Sequence, residues 1–157
     1  MEVIVPSDVK KAMDSLIFFN GGKIRRPMTF SSDLQNAARN FDRRANARVR
    51  RVALAAFREI NKASPEDKGT FRANWVVSFD TIDRTVDMSR NKKDIPQSMS
   101  IATAAIMGNA ELGTVIYICN SVPYAIALEN GYSSQASEGV VDPAITAIRN
   151  AVESGRL

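Results

Sequence analysis

The sequence predicts an α+β fold with one long helix, shorter helices and two strands. Residues 32–63 carry apolar side chains at three- and four-residue spacing, which is typical of an amphipathic helix. Apolar and polar side chains alternate over residues 71–79, and a β-branched apolar run follows at 114–119; both patterns are typical of strands. We expect residues 1–30 to form an N-terminal arm and residues 31–157 to form one domain.

The composition is that of an ordinary globular domain. The chain has 157 residues, of which 45% are hydrophobic and 24% charged. The single cysteine, Cys119, cannot close an intrachain disulfide, which fits synthesis in a reducing cytoplasm. Its apolar neighbours favour a packed side chain over a nucleophile. The start of the sequence lacks the pattern of a signal peptide, and no apolar run approaches the roughly 20 residues that cross a bilayer.

The chain contains no histidine. Histidine-dependent catalytic triads are therefore excluded, as are most zinc sites. No glycine loop of a phosphate-binding type is present. We expect a protein that is not an enzyme and needs no cofactor or metal. A hydrolase or transferase that uses the carboxylates of Glu66, Asp67 or Glu129 is the remaining catalytic alternative.

The arm is expected to hold a short helix that ends at Asn20-Gly21-Gly22. It carries an apolar run whose exposure to water would be unfavourable. This run is a candidate interface: Leu16, Ile17, Phe18, Phe19. Burial against the chain's own core and burial against a neighbouring subunit both remain open; we favour the neighbour.

The long helix should begin at Ser32, which with Gln35 matches a capping box. Its predicted apolar face consists of Phe41, Ala45, Val49, Val52, Ala56 and Ile60. At 1.5 Å per residue the helix would extend roughly 45 Å, which suggests that part of it either projects from the domain or packs on a neighbour. A stripe of arginines lies beside this face: Arg44, Arg48, Arg51, Arg58.

The arginine stripe is a candidate contact for phosphates or for an acidic protein surface. The plainer alternative is a solvated helix face. Residues 80–97 are also rich in charge. We expect them to form an exposed loop or a hairpin tip and to be the least ordered stretch of the chain. Its candidate interface residues are Arg90, Lys92 and Lys93.

A turn at residues 64–69 should reverse the chain before the strand at 71–79, where Trp75 is expected in the core. A helix over 98–112 should then lead to the second strand. A short helix over 124–130 should begin after Pro123 and end at Gly131.

Glu129 falls in the last turn of that short helix, where the helix dipole disfavours a carboxylate. We expect a cation to compensate it, either Arg72 or an arginine of the long helix. The final helix should begin at Asp142-Pro143, with Asp142 as its cap. Its predicted apolar stripe is Ile145, Ile148 and Val152.

Two stretches together resemble a family of bacteriophage proteins. The first is Pro65-Glu66-Asp67-Lys68-Gly69-Thr70-Phe71-Arg72-Ala73-Asn74-Trp75, and the second runs from Asn120 through Pro123-Tyr124-Ala125 to Leu128-Glu129-Asn130-Gly131-Tyr132. They resemble the signatures of minor tail components, or head–tail joining and tail-completion proteins, of long-tailed phages. The resemblance covers about residues 33–155. Lys68 stands where that family usually has threonine, and Val140 where methionine is common.

The resemblance implies a compact α+β fold, in which a small antiparallel sheet packs against a long helix and shorter helices. It also implies a structural virion protein at the phage neck, without catalytic residues. It implies a hexameric ring between the head connector and the tail tube, with connector, tail-tube or tail-terminator proteins as partners. The positive net charge of +4 would suit acidic neighbouring rings or proximity to packaged DNA. The alternative from the residues themselves is a small nucleic-acid-binding protein that uses the arginine stripe.

Overall fold

The computed structural model describes residues 30–157. The expected arm, with its apolar run Leu16–Phe19, therefore lies outside the described residues except for Phe30. The chain divides into two units, Met1–Asn40 and Phe41–Leu157. Of the first, the structure describes helical residues only. The second is described in full and contains the sheet and the shorter helices that the structure describes.

The α+β prediction is confirmed. Helix α1 spans Phe30–Ala63, α2 Thr70–Ala73, α3 Ile95–Asn109, α4 Ala125–Glu129 and α5 Val141–Glu153. Strands β1 (Val76–Phe79) and β2 (Ile116–Cys119) form a two-stranded antiparallel sheet in the register Val76↔Cys119 to Phe79↔Ile116. A single 3₁₀ turn, Lys92–Asp94, precedes α3.

Helix α1 ends at Ala63 as predicted, but it includes Phe30, so Ser32 lies inside the helix and is not its cap. The predicted apolar face is correct at Ile60, which is buried, and wrong at Phe41, which is 65% exposed. Ala53 and Phe57 are also buried, and the prediction omitted both. Apolar side chains occupy two adjacent rows along this part of the helix. Val52 and Ala56 belong to the predicted row, whereas Ala53 and Phe57, one residue later in each case, face the core.

The predicted strand over 71–79 is half wrong. Its first part forms the helical turn α2, which Ala73 closes by donating its N–H to Gly69 O at 2.9 Å. Alternation misled because it does not reveal the turn: Phe71 lies within α2, and Trp75 follows it just before β1. Their rings meet edge to face with centroids 5.6 Å apart, and both are buried, as predicted for Trp75.

The polar segment after β1 is not a hairpin tip, because α3 separates the two strands in sequence. Nor is it loosely held. The Asn74 side chain accepts from Asp87 N at 2.8 Å and donates to Asp87 O at 2.9 Å. Thr70 Oγ1 donates to Arg90 O at 2.8 Å. Asn91 and Asp94 form a reciprocal capping box that starts the 3₁₀ turn and brings α3 forward to Ile95.

One hydrophobic core holds the second unit together. It consists of side chains from α1, α2, α3, α5 and the connecting segments: Ala53, Phe57, Ile60, Phe71, Trp75, Ala102, Ile106, Ala110, Val122, Ala136, Val140 and Ala144. In α5 the small residue Ala144 is buried, whereas Ile145, part of the predicted stripe, is 44% exposed. Ile148 and Val152 are half-buried.

Candidate protein-docking surfaces

The two sequence motifs lie against each other in the fold. The amide of Asn120, the first residue of the second motif, donates to Phe71 O in the first motif at 2.7 Å. The ring of Tyr124 lies against the ring of Phe71, with 6.3 Å between centroids. The motifs therefore build one structural site, although about fifty residues of sequence separate them.

Gly69 gives the first motif its shape. Its φ of +84° is left-handed, and a Cβ at this position would come within 2.5 Å of Lys92 N. That close approach allows Lys92 N to donate to Lys68 O at 3.1 Å, which joins the motif to the start of the 3₁₀ turn. Only glycine satisfies both the backbone angle and the contact.

A cleft of about 700 Å³ opens beside this junction. Its exposed apolar and aromatic surface includes Tyr132, 83% exposed, and Met88, 52% exposed. Partial burial raises the pKa of the Tyr124 phenol, and the nearby Asp67 carboxylate adds to this effect. The lining residues are Pro65, Asp67, Lys68, Gly69, Thr70, Phe71, Met88, Tyr124, Leu128, Tyr132, Ser133, Ser134 and Gln135.

Glu129 binds backbone amides at the beginning of α5. Its carboxylate oxygens accept from Val140 N at 3.0 Å, from Val141 N at 3.0 and 3.1 Å, and from Asp142 N at 3.3 Å. The expected cation partner is therefore wrong: the positive end of another helix compensates the charge. Asp142 is also not the cap, because the helix begins at Val141 and Glu129 performs that role from a distant segment.

Two of the three carboxylates that a catalytic role would use, those of Glu66 and Glu129, bind other groups of the protein. Arg72 Nη1 lies 3.0 Å from Glu66 Oε2, and Glu129 is held by the α5 amides. Asp67 is exposed at the edge of the cleft. Across residues 30–157, no group of three or more acidic or cysteine side chains is placed to hold a metal ion.

A second concave surface is an apolar groove of about 500 Å³ between α1 and β2. Two hydrogen bonds fix its far wall beside the helix: Leu112 N donates to Asn46 Oδ1 at 2.8 Å, and Arg50 Nε donates to Ala110 O at 3.0 Å. Leu112 remains 58% exposed. The groove is lined by Ala45, Arg48, Val49, Val52, Ala53, Ala56, Leu112, Ile116 and Ile118.

The predicted apolar face of the long helix includes several residues of this groove, but the sequence analysis did not place Leu112, Ile116 and Ile118 beside them. A signal for them existed. Five apolar positions of the predicted helical face precede Ile60, and a two-stranded sheet is too small to cover them all.

The arginine stripe is exposed as predicted. Arg44, Arg48, Arg51 and Arg58 point to solvent and form no ion pair within the described part of the chain. Arg48 also lies at the edge of the apolar groove. The stripe therefore adds positive charge beside an uncovered apolar surface.

The candidate residues of the polar segment have different roles. Arg90 Nη1 donates to Ala73 O at 3.0 Å, and its Nε lies 3.8 Å from Asp87 Oδ2, so this guanidinium holds the segment in place. Lys92 and Lys93 are exposed in the 3₁₀ turn, next to the first motif.

Comparisons with models of protein families, with characterised proteins and with solved structures find no match. The helices described between residues 30 and 157 include none that is long and apolar enough to cross a membrane. Among residues 30–157, the two concave surfaces and the arginine stripe are the candidate surfaces for binding another molecule.

Proposed function

We propose that this chain is a structural virion protein of a long-tailed bacteriophage, forming a hexameric ring at the neck that joins the head connector to the tail tube. The observation that carries the proposal is the packing of the two motifs around Phe71, linked by Asn120 Nδ2 to Phe71 O at 2.7 Å. Residues that resemble one family's signatures are expected to serve one structural purpose, and here they share a site.

The surfaces suit a subunit that works by docking. A ring subunit needs heterologous contacts, in which one patch meets a different patch on the next copy. The motif cleft and the apolar groove are two such patches of different chemistry. Aromatic, methionine and polar side chains surround the first, whereas Arg48 is the only charged residue lining the second. The partners would be neighbouring copies, head-connector proteins, and tail-tube or tail-terminator proteins.

The proposal is tested by quantitative mass spectrometry of purified virions. We expect the chain to be synthesised in the host cytoplasm and incorporated into the virion. Its copy number there should be that of one hexameric ring, equal to the copy number of the tail-tube protein in one layer of the tube. Absence from the virion, or a single copy, would contradict it. The purified chain alone is not a suitable test of the ring, because such rings often form only on their assembly platform.

One observation favours a second candidate, a small nucleic-acid-binding protein. Four exposed arginines lie on one helix face without an acidic partner among residues 30–157. Such a stripe would bind DNA phosphates, and its affinity would fall steeply with salt because bound counterions are released. A DNA titration at two salt concentrations, repeated with Arg44→Gln and Arg48→Gln, tests this. Weak binding that these variants leave unchanged would exclude the second candidate.

A further inference from the structure

We infer that strand β2 pairs edge to edge with β2 of a second copy of this chain, antiparallel and around a two-fold axis. The inference goes beyond the proposed function. A two-fold pair is closed, so it would join copies of the free chain and is distinct from the head-to-tail contacts of a ring. The residues that carry it all lie in the second unit.

The outer edge of β2 has unpaired backbone groups. Asp80 N donates to Val115 O at 2.9 Å, one step beyond the end of the sheet. Because bonded pairs alternate along an antiparallel ladder, the N–H and C=O groups of Ile116 and Ile118 then point away from β1. Within residues 30–157 these groups form no hydrogen bond. Such an edge is a template for a further strand.

The strand also lacks the features that normally keep a sheet edge from pairing. Residues 114–119, Thr-Val-Ile-Tyr-Ile-Cys, contain no charged residue, proline or glycine. Val115 is 52% exposed. Segments of this composition, rich in β-branched and aromatic side chains, associate with identical segments. The chemistry of the edge therefore favours a strand of the same kind as its partner.

Of the two strands formed within residues 30–157, β2 is the open one. Helix α3 packs against β1, and Phe79 O of β1 accepts from Thr81 N at 2.7 Å. A second copy would present the same open strand with the same free groups. We therefore assign β2 of a second copy, and not β1, as the partner.

One antiparallel register pairs every free N–H with a C=O. Ile116 faces Ile118 of the second copy and Ile118 faces Ile116, with Tyr117 opposite Tyr117 on the axis. Aromatic side chains directly opposite each other are a favourable cross-strand pair. Paired residues project to the same face of a sheet, so the isoleucines of the second copy would lie beside the apolar groove and cover part of it.

Disulfide trapping of the full-length chain tests the inference. In this register residue 115 faces residue 119 of the second copy in a pair without hydrogen bonds, where Cα atoms lie about 4.5 Å apart, close enough for a disulfide. Within one chain the same two positions are about 13 Å apart along the strand, which is too far. Val115→Cys with the native Cys119 retained should therefore form covalent dimers on mild oxidation, detected by non-reducing electrophoresis.

Two single-cysteine proteins are the matched controls. One is the wild type, which has Cys119 alone, and the other is Val115→Cys combined with Cys119→Ser. Identical positions lie about 13 Å apart across the axis, so neither control places two thiols together. We expect each control to yield at most about a tenth of the covalent dimer, because pairing raises the local thiol concentration only for residues that face each other.

A second pair of variants tests the hydrogen bonds of the edge. Ile118→Pro removes an outward N–H without removing a bond of the β1–β2 ladder, so it should abolish trapping in the Val115→Cys protein. Ile118→Ala keeps that N–H and should retain trapping. Circular dichroism checks the fold of both, and if the proline variant does not fold, the cysteine comparison decides alone.

Three results would overturn the inference. They are the absence of a covalent dimer in Val115→Cys, an equal dimer yield in the two single-cysteine controls, and trapping that a folded Ile118→Pro variant leaves unchanged. Trapping uses purified protein, so its outcome is independent of whether virions contain the chain.

Discussion

The indole Nε1–H of Trp75 donates a hydrogen bond to Ser64 Oγ at 2.8 Å, and both residues are buried. Ser64 Oγ in turn donates to Ile60 O at 2.7 Å, at the end of α1. This relay joins the end of the long helix to the residue that precedes β1. It satisfies the polar atom of the tryptophan while the rest of the ring packs in the core, so the turn between them has a fixed geometry.

Trp75→Ala should lower the free energy of unfolding by about 3–5 kcal/mol, because it removes a large core aromatic and leaves a cavity. Chemical denaturation measures the change. Ser64→Ala is the matched control for the hydrogen bond alone and should cost about 1–3 kcal/mol, since it leaves the buried indole N–H without an acceptor. A loss below about 1 kcal/mol for Trp75→Ala would mean that the ring contributes little to the core.

Glu129→Gln should destabilise the protein by about 1–2 kcal/mol, because an amide oxygen is a weaker acceptor for the three α5 N–H groups and carries no charge at the helix start. Glu129→Ala should cost more, since it leaves the amides of Val140 and Val141 without this acceptor. Thermal denaturation compares the two variants. If Glu129 acts only structurally, neither variant abolishes a reaction; an activity that disappears in Glu129→Gln would contradict that role.

Gly69→Ala should be among the most damaging small substitutions in the chain. The new Cβ would lie 2.5 Å from Lys92 N, so the backbone at Lys92 would have to move away. Alanine would also be strained at the left-handed φ of Gly69. Gly155→Ala is the control, because φ there is also positive at +70° but nothing lies within 4 Å of the Cβ position. We expect about 1 kcal/mol for the control, the usual cost of left-handed backbone, and clearly more for Gly69→Ala. Equal losses would show that the approach of Lys92 is not required.

The carboxyl pKa of Asp87 should fall below its ordinary value of 3.8, chiefly because Ser89 Oγ and then Ser89 N donate to the carboxylate. A pKa depressed on folding stabilises the native state above the unfolded pKa, and this contribution is lost as pH falls through the folded value. An NMR titration of the side-chain carbon should show the low pKa in the wild type. In Ser89→Ala the pKa should move back toward 3.8. No movement would mean that Ser89 does not hold the carboxylate in solution.

The sequence predicted well where a pattern has one physical solution. The α+β class, the long helix ending at Ala63, the buried Trp75 and the helix stop before Gly131 follow from periodicity, size and backbone freedom. Alternation over residues 71–79 failed because its first part forms the helical turn α2, which ends at Ala73, and only Val76–Phe79 form a strand. The helical turn depends on the close approach of Gly69 to the backbone of Lys92, which the local sequence does not show.

The docking surfaces were harder to predict, because they depend on contacts between distant segments. Glu129 was expected to need a cation, and nothing local shows that the amides of Val140 and Val141 supply its partner. The groove combines residues of α1 with Leu112, Ile116 and Ile118, whose proximity depends on the hydrogen bond from Leu112 N to Asn46. Exposure of the arginine stripe, in contrast, follows from its position beside the apolar face.

The central claim, a structural ring at the phage neck, is tested most directly by a cryo-electron microscopy reconstruction of the intact virion at side-chain resolution. The account predicts a hexameric ring of this chain between the head connector and the tail tube, with residues 30–157 recognisable from α1 and the Trp75 side chain. Density for the chain elsewhere in the particle, or no density for it in a complete neck, would contradict the account.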